Sequence, residues 1–119
     1  MAQRKSLHCP VEVALSIIGG RWKILIIYQL FEGKHRVNEM RRAIEGISQR
    51  VLTQNLRELE RDGIVARKVF PESPPHVEYA LTAFGQTLEP VLGRLCEWGE
   101  AYKRSGGEPQ AMREAILVP

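Results

Sequence analysis

Residues 44–65, IEGISQRVLTQNLRELERDGIV, constrain the fold more than any other segment, because they encode both ends of a helix. Ser48 is placed as an N-cap, and Asp62-Gly63 is typical of a helix end that turns through a left-handed residue. At about 100° per residue, the side chains between these ends divide into two faces. The apolar face holds Leu52, Leu56 and Leu59. The segment therefore predicts a helix that packs on one side and offers a polar surface on the other.

The polar face of this helix carries side chains that suit the edges of DNA bases. Its members are Arg50, Thr53, Gln54, Arg57 and Arg61. Arginine pairs in bidentate fashion with guanine and glutamine with adenine in the major groove. We therefore expect Arg50 and Gln54 to read bases, provided that this face is exposed.

Other residues of the same helix suit shorter or less specific contacts. Gln49 and Thr53 are shorter-range candidates for base contact, and Ser48 can offer its hydroxyl to a phosphate at the helix N-terminus. Arg57 and Arg61 lie towards the C-terminal end. There they either contact phosphates or pair with neighbouring acidic residues and stabilise the helix dipole.

The residues before this segment predict three further helices. The first begins near Pro10, with Cys9 as its N-cap, and ends at Gly19-Gly20. Its inward side chains are expected to be Val13, Ile17 and, less clearly, Leu15. The second spans residues 21–31, and its core residues are expected to be Trp22, Leu25, Ile26 and Leu30. The third is EMRRAI, with Asn38 as N-cap and Met40 and Ile44 inward, after a short strand at Arg36-Val37.

The residues after Gly63 change to an alternating pattern that predicts two strands. The strands flank Pro71–Pro75, PESPP, whose prolines cannot donate to a β-ladder and so belong in the connecting loop. Thr82 is expected to cap a long final helix that Pro90 kinks or interrupts. The apolar stripe of that helix is Leu88, Val91, Leu95, Trp98 and Tyr102. Helix-turn-helix followed by a hairpin indicates a winged helix-turn-helix, a mainly α fold with a small antiparallel β-hairpin.

Length and charge fit one small domain with an anionic partner. The chain has 119 residues, of which 44% are hydrophobic, enough for a single core. We expect an N-terminal arm at residues 1–8, the domain at 9–104 and a tail at 105–119. The net charge is +3, but residues 34–68 carry nine basic and five acidic side chains. The positive charge is therefore concentrated around the polar helix.

Several classes of protein fit this sequence poorly. No stretch reaches the about 18 apolar residues of a membrane span, and no signal peptide is evident, so a cytoplasmic protein without a membrane partner is expected. His8, His35 and His76 are dispersed, and no phosphate loop or nucleophile motif occurs. We therefore expect no enzyme activity, no cofactor and no metal site.

Taken together and in order, five segments resemble the HxlR family of bacterial winged-helix regulators, which is related to the MarR type. The segments are Cys9-Pro10, IGGRWKILIIYQL at 18–30, GISQRVLTQNLRELERDGIV at 46–65, PPHVEYALTAFG at 74–85 and Trp98-Gly99. The resemblance implies a homodimeric, sequence-specific regulator that binds double-stranded DNA, with the first and last helices pairing across a two-fold axis. It identifies neither the regulated gene nor a small-molecule effector.

A dimer also follows from the apolar surface of the last helix, which exceeds what one small domain easily buries. The expected interface residues are Val13, Ile17, Leu88, Leu92, Leu95, Trp98 and Tyr102. Such a dimer would read a pseudo-palindromic operator with half-sites about one helical turn apart. Trp22, Tyr79 and Trp98 are interpreted as core or dimer residues and not as a ligand site.

Residues outside the polar helix are expected to contact the DNA backbone. Asn38, Arg41 and Arg42 are expected at the start of the first motif helix, which crosses the backbone in this architecture, and the wing tracks neighbouring phosphates. The expected phosphate contacts are Asn38, Arg41, Arg42, Arg67, Lys68 and His76. A wing charge can equally be merely exposed.

Cys9 is a candidate redox trigger, because a thiol at a helix N-terminus near Arg4, Lys5 and His8 lies in surroundings that favour reactivity. Some members of the family that this chain resembles respond to oxidants through a cysteine in this position. Cys96 is either its partner across subunits or an inert, packed thiol.

Two functions remain open from the sequence. The first is a DNA-binding regulator, expected to act as a repressor, since occupying a promoter requires only binding. The second is a winged-helix adaptor that binds protein and not DNA, because a fold does not fix a function.

Overall fold

The computed structural model describes residues 9–106, which form six helices and one two-stranded antiparallel sheet. The elements are α1 (Pro10–Ile18), α2 (Lys23–Phe31), α3 (Val37–Ala43), α4 (Gln49–Arg61), β1 (Val65–Phe70), β2 (His76–Leu81), α5 (Ala83–Gln86) and α6 (Glu89–Arg104). One compact unit ends at Thr87 and a second begins at Leu88. The predicted fold class is confirmed. The predicted arm at residues 1–8 and the tail from residue 107 lie outside the described residues.

Helix α4 has the boundaries that its sequence predicts. The Ser48 hydroxyl accepts a hydrogen bond from the Val51 amide, 3.1 Å away, and so caps the N-terminus. At the other end Gly63 has a φ of +79°, a left-handed conformation that costs glycine little. Both signals are local, which is why the sequence alone locates this helix.

The core of the first unit lies between α4 and the elements packed on it, α2, α3 and β1. Helix α4 contributes Leu52, Leu56 and Leu59, each 0% exposed. Other buried apolar residues of the first unit include Ile26, Ile27, Leu30, Met40, Ile44, Ile47, Ile64 and Val65. The three leucines therefore fix which face of α4 points outward.

Thr82 joins the base of the hairpin to the elements on either side of it. Its hydroxyl donates to the Gly63 carbonyl oxygen at 2.6 Å and accepts from the Gly85 amide at 2.9 Å. Its own amide donates to the Ile64 carbonyl oxygen at 3.0 Å. A Cβ at Gly85 would collide with that same carbonyl oxygen, so the close approach requires glycine.

The predicted inward face of α2 is partly wrong. Leu25 is 42% exposed, whereas Ile27, which was not expected inside, is fully buried with Ile26 and Leu30. The buried residues lie on one side of the nine-residue helix, and Leu25 lies about 150° from the centre of that side at 100° per residue. The helix also begins at Lys23, after Trp22, and not at Arg21.

The start of α3 is also corrected. No strand forms at Arg36-Val37, and Asn38 is not the N-cap, because the helix already begins at Val37. The cap is a carboxylate: Glu39 accepts from the Arg36 amide at 3.0 Å and from the His35 amide at 3.2 Å. These two bonds hold the pKa of Glu39 below its ordinary value, the Arg36 bond contributing most.

The final helix is two helices. Thr82 caps the short α5, and the long α6 begins only at Glu89, with Pro90 in its first turn. Proline fits that position because its missing amide hydrogen has no partner in the first turn of a helix. Pro90 therefore starts α6 and does not kink it. In the described residues no helix is both long and apolar enough to cross a membrane.

Candidate nucleic-acid interface

The outward face of α4 brings together five residues that the sequence predicts to contact DNA. Gln49, Arg50, Thr53, Gln54 and Arg57 line an open groove of about 560 Å³. All are exposed except Thr53, which is half-buried. The prediction that Arg50 and Gln54 read bases requires an exposed polar face. The single chain meets this condition.

The N-terminus of α4 lies beside this groove. Ser48 is exposed, and its hydroxyl oxygen is already an acceptor for the Val51 amide. The hydroxyl hydrogen is still available to donate to a phosphate oxygen. Capping and phosphate contact are therefore compatible at Ser48.

An ion pair that the sequence does not reveal ties α4 to α2. Lys23 Nζ lies 2.6 Å from Glu58 Oε1, and the Lys23 side chain is only 13% exposed. The hydrogen bond from Lys23 is the main reason why the pKa of Glu58 lies below its ordinary value. Glu58 thus pairs with Lys23, and the charge of Arg61 also contributes to its lowered pKa, as expected if Arg61 interacts with a neighbouring acidic residue.

The predicted phosphate contacts on α3 lie at its two ends. Asn38 is exposed in the first turn, whereas Arg41 and Arg42 are exposed in the last turn. The expectation that both arginines lie at the helix start is wrong, because the helix has only seven residues and begins at Val37. At the C-terminal end they also face the negative end of the helix dipole.

The wing, which is the hairpin of β1 and β2, presents two exposed cations and one partly enclosed histidine. Arg67 and Lys68 are exposed on β1. The His76 ring is stacked on Phe70 with centroids 4.6 Å apart, and its Nε2 lies 3.1 Å from Glu78 Oε2. A carboxylate beside His76 offsets any positive charge on that ring, so Arg67 and Lys68 are the stronger phosphate candidates.

Two helices carry apolar side chains that are exposed in the single chain. On α6, Val91, Leu95 and Trp98 are 44%, 50% and 69% exposed, and Tyr102 is stacked on Trp98. Among the other expected interface residues, Leu92 is buried and Leu88, Val13 and Ile17 are half-buried. On α1 the most exposed apolar residues are Val11 and Leu15, at 64% and 60%, which the sequence did not single out for an interface. The inward position suggested for Leu15 is therefore wrong.

Cys9 and Cys96 are both exposed thiols. Cys9 precedes α1 with an extended backbone, φ −86° and ψ 126°, as expected of an N-cap residue. Cys96 is not packed within its own chain. Both sulfur atoms are thus accessible to a reagent in the single chain.

Comparison with known proteins agrees with this geometry. The family model for HxlR-like helix-turn-helix proteins matches residues 17–106. The HTH-type transcriptional regulator YdeP of Bacillus subtilis (strain 168) is 52% identical over 107 residues, which cover 90% of this chain and 84% of YdeP.

Two solved structures are also similar. The redox regulator HypR in its oxidised form is 55% identical, with a TM-score of 0.74, over 78% of this chain and 96% of that one. The reduced form of the transcriptional regulator YodB from B. subtilis is 40% identical, with a TM-score of 0.69, over 81% of this chain and 95% of that one. The chain therefore belongs to the family of HxlR-like helix-turn-helix transcriptional regulators.

Proposed function

We propose that the protein is a homodimeric repressor that places α4 of each subunit in the major groove of a pseudo-palindromic operator. The observation that carries this proposal is the groove of polar side chains on α4, held outward by three buried leucines. A helix of this kind fits the major groove, where base edges are distinguishable. Half-sites would lie about one helical turn apart.

Contacts within the interface divide by chemistry. Arg50 and Gln54 read bases, with Gln49 and Thr53 as shorter-range contributors. The proposed backbone contacts are Asn38, Arg41, Arg42, Ser48, Arg57, Arg67, Lys68 and His76. These contacts fix position and carry no direct sequence information.

Arg50→Ala is the test of base reading. We expect affinity for the operator to fall by about 1–3 kcal/mol, or 5- to 150-fold, because a bidentate contact is lost. Non-specific affinity should fall less. The operator is first obtained by selecting bound fragments from the source genome, and binding is then followed by fluorescence anisotropy over a range of salt concentrations.

The control for Arg50→Ala is Arg104→Ala, which removes an equal charge from an exposed position on α6. Log affinity of the wild-type protein should decrease linearly with log salt concentration. A protein adaptor would show neither this salt dependence nor an effect of Arg50→Ala. Absence of salt-dependent binding would overturn the DNA-binding proposal, whereas an unaffected Arg50→Ala would overturn base reading by Arg50.

Repression is the proposed sign of regulation, because it requires only that the bound protein occupy the promoter and exclude polymerase. Transcription in vitro from a promoter that contains the selected operator should therefore fall when the protein is added. A rise in transcription would identify an activator instead.

The proposed dimer forms through the apolar faces of α1 and α6. The exposed residues Val91, Leu95 and Trp98 form, with Arg94, a shallow groove of about 670 Å³ on α6. A symmetric partner that covers this groove removes apolar surface from water. The two α4 helices of the dimer would then meet the two halves of the operator.

Cys9 is proposed as a redox trigger, supported by its exposure and by the likeness to the redox regulator HypR. Peroxide would take two electrons and two protons from Cys9 and Cys96 of the partner subunit. The products would be an intersubunit disulfide and two water molecules.

Cys9→Ser tests this switch. Peroxide should change the DNA affinity of the wild-type protein by about 5- to 150-fold, the usual range of coupling between two sites, and leave Cys9→Ser unaffected. Cys96→Ser is the companion variant, and non-reducing electrophoresis detects the crosslink. If peroxide changes neither the affinity nor the crosslinking of the wild-type protein, the redox proposal fails.

A further inference from the structure

A second cleft, of about 390 Å³, lies between α4 and the β-hairpin. Two of its lining residues, Thr53 and Arg57, also line the groove on the outward face of α4. The cleft therefore opens directly beside the surface that we assign to the bases. A group that occupies this cleft contacts both α4 and the β-hairpin.

Tyr79 forms much of the hairpin side of this cleft. It lies directly opposite Arg67 in the β1–β2 register, so the two side chains share one face of the hairpin. Although Tyr79 is only 5% exposed, its phenol hydroxyl has no hydrogen-bond partner among residues 9–106. That hydroxyl is not sealed in the core either, because the described residues include no fully buried, unsatisfied side-chain oxygen.

The charges around the phenol favour an anion. Arg57 and Arg67 both interact electrostatically with it, as does the carboxylate of Glu60. One arginine is balanced by Glu60, and a single positive charge is left, which matches one phosphate group. Burial raises the pKa of Tyr79, so the phenol keeps its proton at neutral pH and can donate it.

The cleft also has an apolar part, which is lined by Val37 and Val77. A phosphodiester carries a deoxyribose beside each phosphate, and that sugar offers an apolar surface to such side chains. A small inorganic anion would leave this part of the cleft unfilled. The combined chemistry therefore fits a DNA backbone better than an isolated ion.

We propose that Tyr79 donates its phenol hydroxyl to one DNA phosphate held in this cleft between Arg57 and Arg67. This inference rests on the proposed DNA-binding function and adds a residue that the sequence assigned to the core or dimer surface. The bound phosphate would connect the wing to α4 and fix the depth of α4 in the major groove. Because the contact is to the backbone, it acts on any duplex.

Tyr79→Phe is the direct test, since it removes one hydroxyl and keeps the ring. We expect affinity for a short duplex of arbitrary sequence to fall about 10- to 150-fold, in line with a hydrogen bond to a charged group. The thermal unfolding midpoint should not fall, because the hydroxyl has no described partner in the protein. Tyr28→Phe, on α2 and 39% exposed, is the matched control and should change neither quantity.

The outcomes separate this inference from the function on which it rests. If Tyr79→Phe binds like the wild-type protein while Arg50→Ala still weakens operator binding, the phosphate contact is wrong and the DNA-binding function stands. If the wild-type protein binds no duplex, the function itself fails. A lower unfolding midpoint for Tyr79→Phe would assign the hydroxyl to the fold and overturn the inference.

A double-mutant cycle tests whether one phosphate is shared. Arg67→Ala alone should weaken binding and reduce the slope of log affinity against log salt by about one. If Tyr79 and Arg67 hold the same phosphate, the double variant should lose less affinity than the product of the two single losses. Losses that simply multiply would contradict the shared site.

Discussion

Leu56→Ala is expected to lower the free energy of unfolding by about 2–5 kcal/mol, the cost of deleting a fully buried leucine. Leu56 is 0% exposed at the centre of the apolar face of α4, between Leu52 and Leu59. The whole domain is stable by only about 5–15 kcal/mol. The variant should therefore unfold at a lower urea concentration and a lower temperature than the wild-type protein, and it should lose DNA binding where it unfolds.

Urea denaturation followed by circular dichroism measures this effect. Leu25→Ala is the control, because Leu25 is 42% exposed and its truncation should cost much less. At low temperature, where Leu56→Ala is folded, its affinity for DNA should return. Equal costs for the two variants would mean that α4 is not anchored through Leu56.

Trp98→Asp is expected to convert the dimer into monomers at concentrations where the wild-type protein is dimeric. Trp98 is 69% exposed on α6, and a buried tryptophan at an interface typically contributes more than about 2 kcal/mol. Aspartate would also bring an unpaired charge into the apolar contact. Because two linked subunits bind a two-part site more tightly than one, affinity for the operator should fall as well.

Sedimentation equilibrium is the measurement, with Glu100→Ala as the control. Glu100 is an exposed residue paired with Lys103, and at 100° per residue it lies on the side of α6 opposite Trp98. A Trp98→Asp variant that still sediments as a dimer would rule out this face as the interface. A wild-type protein that sediments as a monomer would contradict the dimer itself.

The parts of the fold that the sequence predicts correctly are those with local signals. Ser48 and Gly63 mark α4 because capping and left-handed turns depend on a few adjacent residues. The prolines between residues 71 and 75 mark the hairpin loop for the same reason. Four of the five groove residues on α4, all except Gln49, then follow from helical periodicity.

The parts that the sequence misses depend on contacts between distant residues. The Lys23–Glu58 pair joins two helices, and no local pattern announces it. The side chain that caps α3 belongs to Glu39, inside the helix, and not to a residue before it. The helix therefore begins earlier than the sequence predicts. Tyr79 reads as a core residue by hydropathy, and only the strand register reveals that it lies opposite Arg67.

Thr82 gives the wing a fixed root, because one side chain and one amide bind Gly63, Ile64 and Gly85 together. The angle at which the hairpin leaves the domain is thus set far from its proline-containing tip. If the hairpin contacts DNA as proposed, substitutions at its tip would alter the contact with flanking DNA without moving α4. The choice of operator and the strength of flanking contacts would then be set by separate parts of the domain.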